Sequence, residues 1–231
     1  YHFLRCNFIY NRDLENKQEL KHFKKASRHL VTENFIIIDL KRSLDEILSQ
    51  MTKHHQKLIN EAENKDFLEI EFTRDFSKID IFLNLYHQLS KEKKFIPYPD
   101  ELIKKEFEIF EKENKAFLVF GKVEKRYVSG AIIIIDQENA FYHHGASIPI
   151  KEPINYKLHW HIMLELKKNN IKTYNLWGFN EKDNKNHPWS GFTFFKKGFG
   201  GQEILLLKTL DVPLSLRYYL VKLYEKLRYK Y

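Results

Sequence analysis

The residues from Ala116 to Ser147 have the sequence AFLVFGKVEKRYVSGAIIIIDQENAFYHHGAS. Three apolar or alternating runs, at 116–123, 127–136 and 140–147, are separated by the short polar stretches EKR and QEN. Runs of β-prone residues joined by turn-sized polar stretches are typical of antiparallel hairpins. This part of the chain therefore predicts a three-stranded β-meander.

Further helices and strands are predicted on both sides of the meander from the spacing of apolar residues and from capping and breaker residues. The expected strands are 1–10, 34–40, 67–72, 173–177 and 203–209, and the expected helices are 43–64, 76–89, 99–112, 155–169 and 213–228. A meander that leads into a helix and then a further strand indicates an α+β fold. We expect a mixed sheet flanked by helices, of the GNAT (acyl-CoA N-acyltransferase) type.

The composition is that of a folded, basic protein. In 231 residues, 43% are hydrophobic and 15% aromatic, which is ample for a buried core and argues against disorder. The 39 lysines and arginines exceed the 31 aspartates and glutamates by 8. Such a positive charge favours anionic partners such as tRNA, nucleotide-linked precursors or anionic lipid. A generally lysine-rich composition without a functional role is the alternative.

Cysteine usage and hydrophobic runs bear on the compartment. The one cysteine, Cys6, excludes a disulfide within the chain and a zinc site made of cysteines, which favours a reducing compartment. The strongly apolar stretch from Gly130 to Ile135 is far shorter than the ~20 residues that span a bilayer. No signal peptide is visible, so we expect a cytoplasmic location. Because the chain begins at Tyr1 without a methionine, we also expect a fragment whose upstream part is missing.

Two segments carry the strongest functional pattern: Tyr174 to Phe179, YNLWGF, and Gly191 to Gly201, GFTFFKKGFGG. Lysines among phenylalanines and closely spaced glycines predict a flexible, cationic turn with aromatic walls, where the backbone can approach an anionic ligand. A pair of solvated lysines without a function is the alternative. In both interpretations we expect Lys196 and Lys197 to lie in a turn, outside the core.

Both segments resemble the C-terminal signature of the FemABX family, the non-ribosomal peptidyltransferases that build the interpeptide bridges of peptidoglycan. In that family a strand beginning Tyr-Asp is followed by a Phe-Lys pair and a Gly-Phe-Gly-Gly run. The resemblance extends over most of the chain from about Phe35. It includes residues 53–62, 130–133, 142–147 and 154–160, although Gln56 and Asn60 stand where arginines are common in the family.

The resemblance implies a domain organisation. Members of the family contain two GNAT-like halves, with the cell-wall precursor bound at their junction. By this comparison, residues 1–33 are a remnant of the first GNAT-like domain and residues 34–231 form the second, FemABX domain. Much of the acceptor site would then lie outside this chain.

The activity implied by the resemblance is aminoacyl transfer. An amino acid would move from aminoacyl-tRNA to the stem-peptide side-chain amine of a peptidoglycan precursor, lipid II or UDP-MurNAc-pentapeptide. Aminoacyl-tRNA is the co-substrate, and no cofactor is implied. Because the aminoacyl ester is already activated, the reaction needs alignment, removal of a proton and stabilisation of an oxyanion more than a covalent nucleophile.

The resemblance also implies site residues. If Phe195 and Lys196 match the Phe-Lys pair of the family, both are catalytic, and Lys196 stabilises phosphate or a developing oxyanion. Asn175 replaces an aspartate that is common in the family, which favours positioning over proton abstraction. Core packing of the aromatic residues and simple solvation of the helix lysines are the alternatives. The implied substrate-binding residues are Lys197, Gly198, Tyr174, Asn175, Trp177, Tyr142, Lys53 and Lys57.

Two histidine clusters, His143-His144 and His159-Trp160-His161, suggest a metal site. No carboxylate stands at a recognisable zinc spacing from them, and adjacent residues of a strand face opposite sides. We therefore expect no metal.

Two other functions fit the sequence. The first is an acyl-CoA N-acyltransferase, which holds a pyrophosphate on backbone amides after the meander. Residues 147–154 disfavour it, because this loop has two prolines and no glycine. The second is a non-catalytic RNA-binding remnant, which salt-dependent tRNA binding without turnover would support. The terminal helix, with basic residues among Leu and Tyr, is a candidate for peripheral contact with the inner face of the plasma membrane. Packing of this helix onto its own domain is the alternative.

Overall fold

The computed structural model describes residues 1–14, 18–29, 32–180 and 190–228. Its strands are β1 (Phe3–Cys6), β2 (Lys24–Lys25), β3 (Asn34–Asp39), β4 (Leu68–Thr73), β5 (Ala116–Val123), β6 (Arg126–Asp136), β7 (Asn139–Ser147), β8 (Thr173–Gly178), β9 (Gln202–Leu205) and β10 (Leu210–Pro213). Its α-helices are α1 (Leu44–Gln50), α2 (Lys53–Glu63), α3 (Ile79–Lys93), α4 (Asp100–Lys112), α5 (Ile154–Lys168), α6 (Ser190–Lys197) and α7 (Arg217–Arg228).

The predicted β-meander is confirmed. Strand β5 pairs antiparallel with β6, and β6 pairs antiparallel with β7. Strand β4 adds to β5 in antiparallel orientation, whereas β8 adds to β7 in parallel orientation. Neighbouring strands follow the order β4-β5-β6-β7-β8-β3. The predicted fold class, an α+β mixed sheet flanked by helices, is therefore confirmed.

Helices cover both faces of this sheet. On one face α3 and α4 pack on the strands through a cluster that includes Phe82, Phe107, Phe120 and Ile132. On the other face α5 approaches so closely that a Cβ at Gly121 would lie 2.7 Å from the Ile154 side chain. Because successive strand residues face opposite sides, Phe120 and Gly121 mark these two layers.

The chain divides into two compact units, one of residues 1–36, 178–190 and 203–231 and one of residues 37–177 and 191–202. In the first unit, β1, β10 and β2 form a sheet. The Arg5 guanidinium donates to Asp211 at 2.7 and 3.0 Å and to Glu225 at 2.9 and 2.7 Å. Asp211 is fully buried, so this bidentate network ties β1 to β10 and α7. The assignment of residues 1–33 to a remnant of another domain stays a prediction.

Several predicted boundaries were wrong. The first strand covers Phe3–Cys6 and not 1–10, β9 ends at Leu205, and the last helix begins at Arg217 and not at residue 213. The strand β10 was not predicted. Residues 15–17, 30 and 31 of the predicted 1–33 segment, and residues 229–231, lie outside the described residues.

The predicted helix 43–64 is two helices. Ser43 caps α1 with a capping box, since its hydroxyl accepts from Glu46 N while the Glu46 side chain accepts from Ser43 N. At Met51 the backbone becomes extended, and Thr52 caps α2 by accepting from His55 N. A second Ser or Thr cap inside a helical pattern competes with the helix, because its side chain replaces a backbone partner.

Helix α7 exposes several apolar side chains to solvent. Leu220, Leu223 and Leu227 are exposed, whereas Tyr218 and Glu225 are buried. In the part of the chain that the structure describes, no helix has both the length and the apolar character that crossing a bilayer requires.

We predict that Phe82→Ala lowers the free energy of unfolding by about 3–5 kcal/mol, because a fully buried ring is replaced by a cavity. Phe67→Ala is the matched control, since Phe67 is 41% exposed, and it should cost about 1 kcal/mol or less. Urea unfolding measures both changes. Similar losses in the two variants would contradict the described packing of α3.

Candidate functional site

The signature segment forms a helix, α6, and not the predicted turn. Lys196 lies in the last turn of α6 and is only 2% exposed. Its Nζ lies 3.9 Å from the centroid of the Phe192 ring, one helical turn earlier, in a cation–π contact. Burial lowers the pKa of Lys196 to about 7. The expectation that Lys196 is a solvated turn residue outside the core was therefore wrong.

His55 of α2 holds the C-terminal end of α6. Its Nε2 lies 2.8 Å from the carbonyl oxygen of Phe195, and its Nδ1 lies 2.9 Å from the hydroxyl of Thr52. Since a carbonyl oxygen only accepts, Nε2 carries the proton. Burial lowers the pKa of His55 and favours the neutral ring, in which Nδ1 accepts from Thr52. Thr52 N also donates to Gly198 O at 2.9 Å. The start of α2 and the end of α6 are thus joined by two hydrogen bonds, one from the His55 ring and one from Thr52 N.

Two glycines leave room for the close contact of α1 and α2 with the end of α6. A Cβ on Gly198 would lie 1.8 Å from Cε1 of His55. Gly200 has a φ of +75°, and a Cβ there would lie 2.0 Å from the Gln50 carbonyl oxygen. The glycines of the signature therefore allow α1 and α2 to approach the end of α6. Gly198 is a packing requirement for His55, and a contact with a ligand stays a prediction.

A buried histidine, His159 of α5, lies at the centre of the aromatic residues around α6. Its Nδ1 lies 3.0 Å from the Tyr174 hydroxyl, and its ring centroid lies 4.7 Å from that of Tyr142 and 5.3 Å from that of Phe195. Phe199 is also in contact, at 5.1 Å. The structure thus brings together predicted site residues from β7, β8 and α6.

The charges in this cluster are set by burial. Burial, together with the charges of Lys196 and His55, lowers the pKa of His159 to about 3. Burial also lowers the pKa of His55, although the hydrogen bond to Phe195 opposes this. Burial raises the pKa of Tyr142 and that of Tyr174 far above the usual value of a phenol. Of these groups, Lys196 is the one whose pKa lies at about 7.

Asn175 and Trp177 lie at the end of β8. The Asn175 side-chain oxygen accepts from Trp177 N at 2.7 Å, and Trp177 has a φ of +65°. A short polar side chain that bonds the backbone two residues on commonly supports such a turn. The Trp177 ring contacts Phe141 and His143. Asn175 therefore holds the backbone of Trp177, and its role in substrate binding stays a prediction.

The other three predicted lysines are more exposed to solvent than Lys196. Lys53 and Lys57 are exposed on α2, on the side away from buried His55. Lys197 is half-buried at the end of α6. Their roles in substrate binding stay predictions.

Sequence reasoning did not assign His55 and His159 to this site. His55 was grouped with the exposed basic residues of its helix, and His159 was considered only as a metal ligand. One signal was available: the apolar positions Ile59 and Ala62 share the inner face of α2 with His55, and a histidine at such spacing is directed into the core.

The argument against a metal at His143 and His144 was also wrong in its geometry. A register shift between Ile132 and Ile133 produces a β-bulge in β7. Both imidazoles lie next to the Glu106 carboxylate of α4, at 3.2 and 3.1 Å. By contrast, His161 pairs with Glu63 at 2.8 Å, away from His159.

Comparisons with known proteins agree with the fold. FemX superposes with a TM-score of 0.79 at 14% sequence identity, over 95% of this chain and 74% of FemX. The L-PGS of Bacillus licheniformis superposes with a TM-score of 0.55 at 12% identity, over 92% of this chain and 69% of that protein. A search of curated proteins gave no match. The fold is thus that of FemX.

The sequence profile of the FemAB family matches residues 101–226, more than half of the chain. The protein therefore belongs to the FemAB family. At the level of the family it is an enzyme, an aminoacyltransferase that acts in peptidoglycan biosynthesis on precursors of the lipid II type. The matched region includes β7, β8 and α6, which carry the Lys196 cluster.

We predict that Gly198→Ala destabilises the fold by about 1–3 kcal/mol, because the added methyl group collides with the held ring of His55. Gly191→Ala, in the same helix, is the control. A Cβ there meets nothing within 4 Å, so this variant should equal the wild type or gain up to about 1 kcal/mol. Denaturant unfolding tests the pair, and an unaffected Gly198→Ala protein would refute the described junction.

We also predict a pH-dependent gain in stability for Lys196→Met. Because folding lowers the pKa of Lys196 to about 7, the full free-energy cost of burying the charged lysine is present below pH 7. That cost falls by about 1.4 kcal/mol per pH unit as the pH rises towards the unfolded-state pKa of about 10.4. The advantage of Lys196→Met over wild type should therefore be largest below pH 7 and shrink at alkaline pH. Lys197→Met is the control for this comparison, measured by urea unfolding at several pH values, and a constant advantage would contradict the lowered pKa.

Proposed function

We propose that this protein transfers an aminoacyl group from aminoacyl-tRNA to the side-chain amine of the stem peptide in lipid II or UDP-MurNAc-pentapeptide. The observation that carries the proposal is a buried lysine in the signature segment whose pKa lies at about 7. A lysine of this kind can accept and donate a proton at neutral pH. Aminoacyl transfer to an amine needs such a group.

In the proposed reaction the acceptor amine attacks the ester carbonyl carbon of the aminoacyl-tRNA. A C–N bond forms, and the bond from the carbonyl carbon to the ribose oxygen breaks. Neutral Lys196 takes the proton that the amine loses and, as an ammonium, returns it to the ribose oxygen, which leaves as a hydroxyl. Between these steps the ammonium lies beside the tetrahedral oxyanion and stabilises it.

The neighbouring residues support this role in distinct ways. His55 holds the backbone of Phe195, and therefore the position of the adjacent Lys196. The low pKa of His159 keeps its ring neutral, so Lys196 carries the proton that is transferred in the reaction. Phe195 is enclosed by Tyr156, His159 and Phe199, whereas Phe194 on the same helix is exposed. We assign to Phe194 the stacking on the terminal adenosine of the tRNA.

Cationic residues supply contacts with phosphate. Lys53 and Lys57 are exposed near the start of α2, and the chain carries a net charge of +8. Exposed lysines neutralise the phosphates of a tRNA or of a nucleotide-linked precursor. We propose that they bind the donor, with aminoacyl-tRNA as co-substrate and no cofactor.

For a lipid-linked acceptor, α7 offers a membrane contact. Its exposed Leu220, Leu223 and Leu227 are accompanied by Lys222 and Lys226. A helix with apolar and basic residues of this kind binds an anionic surface. We propose a cytoplasmic protein that touches the inner face of the plasma membrane.

The alternative acyl-CoA donor has less support. Helix α5 begins after Pro153, whose side chain makes no capping hydrogen bond. Proline also lacks the backbone N–H that would bind a pyrophosphate. The loop before α5 is therefore poorly suited to hold coenzyme A.

We predict that Lys196→Arg lowers the rate of aminoacyl transfer by about 10²-fold or more, because a guanidinium keeps the charge but cannot give up its proton. Lys196→Met should lose at least as much. The control Lys168→Met, at an exposed lysine of α5, should stay within about threefold of wild type, because this lysine has no part in the proposed proton transfer. The wild-type kcat/KM should rise with pH around a pKa of about 7. Circular dichroism checks the folding of each variant.

The assay uses labelled aminoacyl-tRNA with the peptidoglycan precursor. Parallel reactions replace the donor by acetyl-CoA or the acceptor by phosphatidylglycerol. Label on the precursor supports the proposal, whereas label only from acetyl-CoA or only on the lipid overturns it. Full activity of Lys196→Arg would overturn the role of Lys196, and tRNA binding without any turnover would indicate a non-catalytic protein.

A further inference from the structure

A second cluster of reactive side chains lies outside the Lys196 cluster, where α4 crosses β7. It consists of Glu106, His143 and His144, whose ligand atoms all lie within 4.8 Å of one another. Both Nε2 atoms approach the same carboxylate oxygen of Glu106, at 3.2 Å from His143 and 3.1 Å from His144. The two imidazole centroids are 4.2 Å apart.

The β-bulge explains how two adjacent strand residues reach one carboxylate. In a regular strand Tyr142 and His144 would share a face. Here Tyr142 packs on His159 of α5, whereas His144 packs on Tyr86 of α3, on the other side of the sheet. The register shift between Ile132 and Ile133 leaves His143 as the extra residue. A bulge of this kind redirects a side chain and bends the strand.

Two of the three spacings between the ligand atoms match those of a tetrahedral metal ion, and the third is at most 4.8 Å. Zinc binds histidine nitrogen and carboxylate oxygen at about 2.0–2.2 Å. Two ligands of a tetrahedral ion at such distances lie roughly 3.3–3.5 Å apart. The observed N–O distances of 3.2 and 3.1 Å are therefore close to those of a loaded site, and small rotations of the side chains would complete it.

The ligand types select the metal. Imidazole favours zinc and other transition metals, whereas magnesium and calcium prefer all-oxygen sites. Two histidines and one glutamate with an open fourth position form a donor set that zinc enzymes use. The side chains of Glu106 and His143 are partly exposed, so an ion can enter from solvent.

We propose that Glu106, His143 and His144 form a zinc-binding site in which water or a ligand atom takes the fourth position. The ion would join α4 to the bulge of β7. It would lie beside Trp177, whose ring contacts His143 at a centroid distance of 6.2 Å. The site is separate from the Lys196 cluster, because Tyr142 and His143 face opposite sides of the sheet.

The test is zinc binding by untagged protein from which metals have been removed with a chelator. We expect one equivalent of Zn²⁺ per chain, measured by competition with a chromogenic chelator and by calorimetry. Glu106→Gln and His143→Asn should each weaken binding by about a hundredfold or more, since loss of a supporting residue alone costs about 10–100-fold. The control His161→Asn breaks the His161–Glu63 pair at 2.8 Å and should leave zinc binding unchanged.

A second measurement does not depend on the folding of any variant. X-ray absorption of the zinc-loaded wild type should show nitrogen and oxygen ligands, two of them imidazoles, at about 2.0–2.1 Å. A sulfur ligand or an all-oxygen shell would overturn the proposal. Absence of binding, or binding that Glu106→Gln and His143→Asn leave intact, would show that the three side chains form only a hydrogen-bonded group.

Discussion

The neutral imidazole of His55 is the constraint on which the candidate site depends. It donates to the Phe195 carbonyl at 2.8 Å and accepts from the Thr52 hydroxyl at 2.9 Å. In the neutral ring Nε2 donates and Nδ1 accepts, whereas protonation would make both nitrogens donors and reverse the role of the Thr52 hydroxyl. Burial lowers the pKa of His55 and so maintains this state. One side chain thereby holds the last turn of α6, and Lys196 with it, against the start of α2.

Once Lys196 is fixed in a buried position, the protonation of its neighbours follows. Two adjacent cations in a desolvated cluster are strongly unfavourable. Burial and the charge of Lys196 lower the pKa of His159 to about 3, so this ring stays neutral and can accept from the Tyr174 hydroxyl. The charge that the cluster carries near neutral pH is then confined to one side chain. A single titrating group in a polar, buried cluster is suited to proton transfer.

The sequence predicted what depends on local pattern and missed what depends on distant contacts. The β5 strand was predicted to the residue, because its apolar run is bounded by polar turns. The end of α6 was predicted as a turn, since its glycines are typical of turns. The hydrogen bond that its last turn makes with His55 comes from a residue 140 positions away from Phe195 in the chain, which local pattern cannot reveal. Met51 ends α1 and Thr52 caps α2, where hydrophobic spacing alone indicated one continuous helix.

The bulge of β7 links the two faces of the sheet. Tyr142 precedes the bulge, and its side chain lies so close to Gly145 that a Cβ on this glycine would be 1.8 Å from the Tyr142 hydroxyl. Gly145 is therefore required by the position of Tyr142, which packs on His159. His143 and His144, between them, face Glu106 instead. One inserted residue thus allows residues 142–145 to contribute both to the Lys196 cluster and to the opposite face of the sheet. Strict alternation along the strand would not permit this.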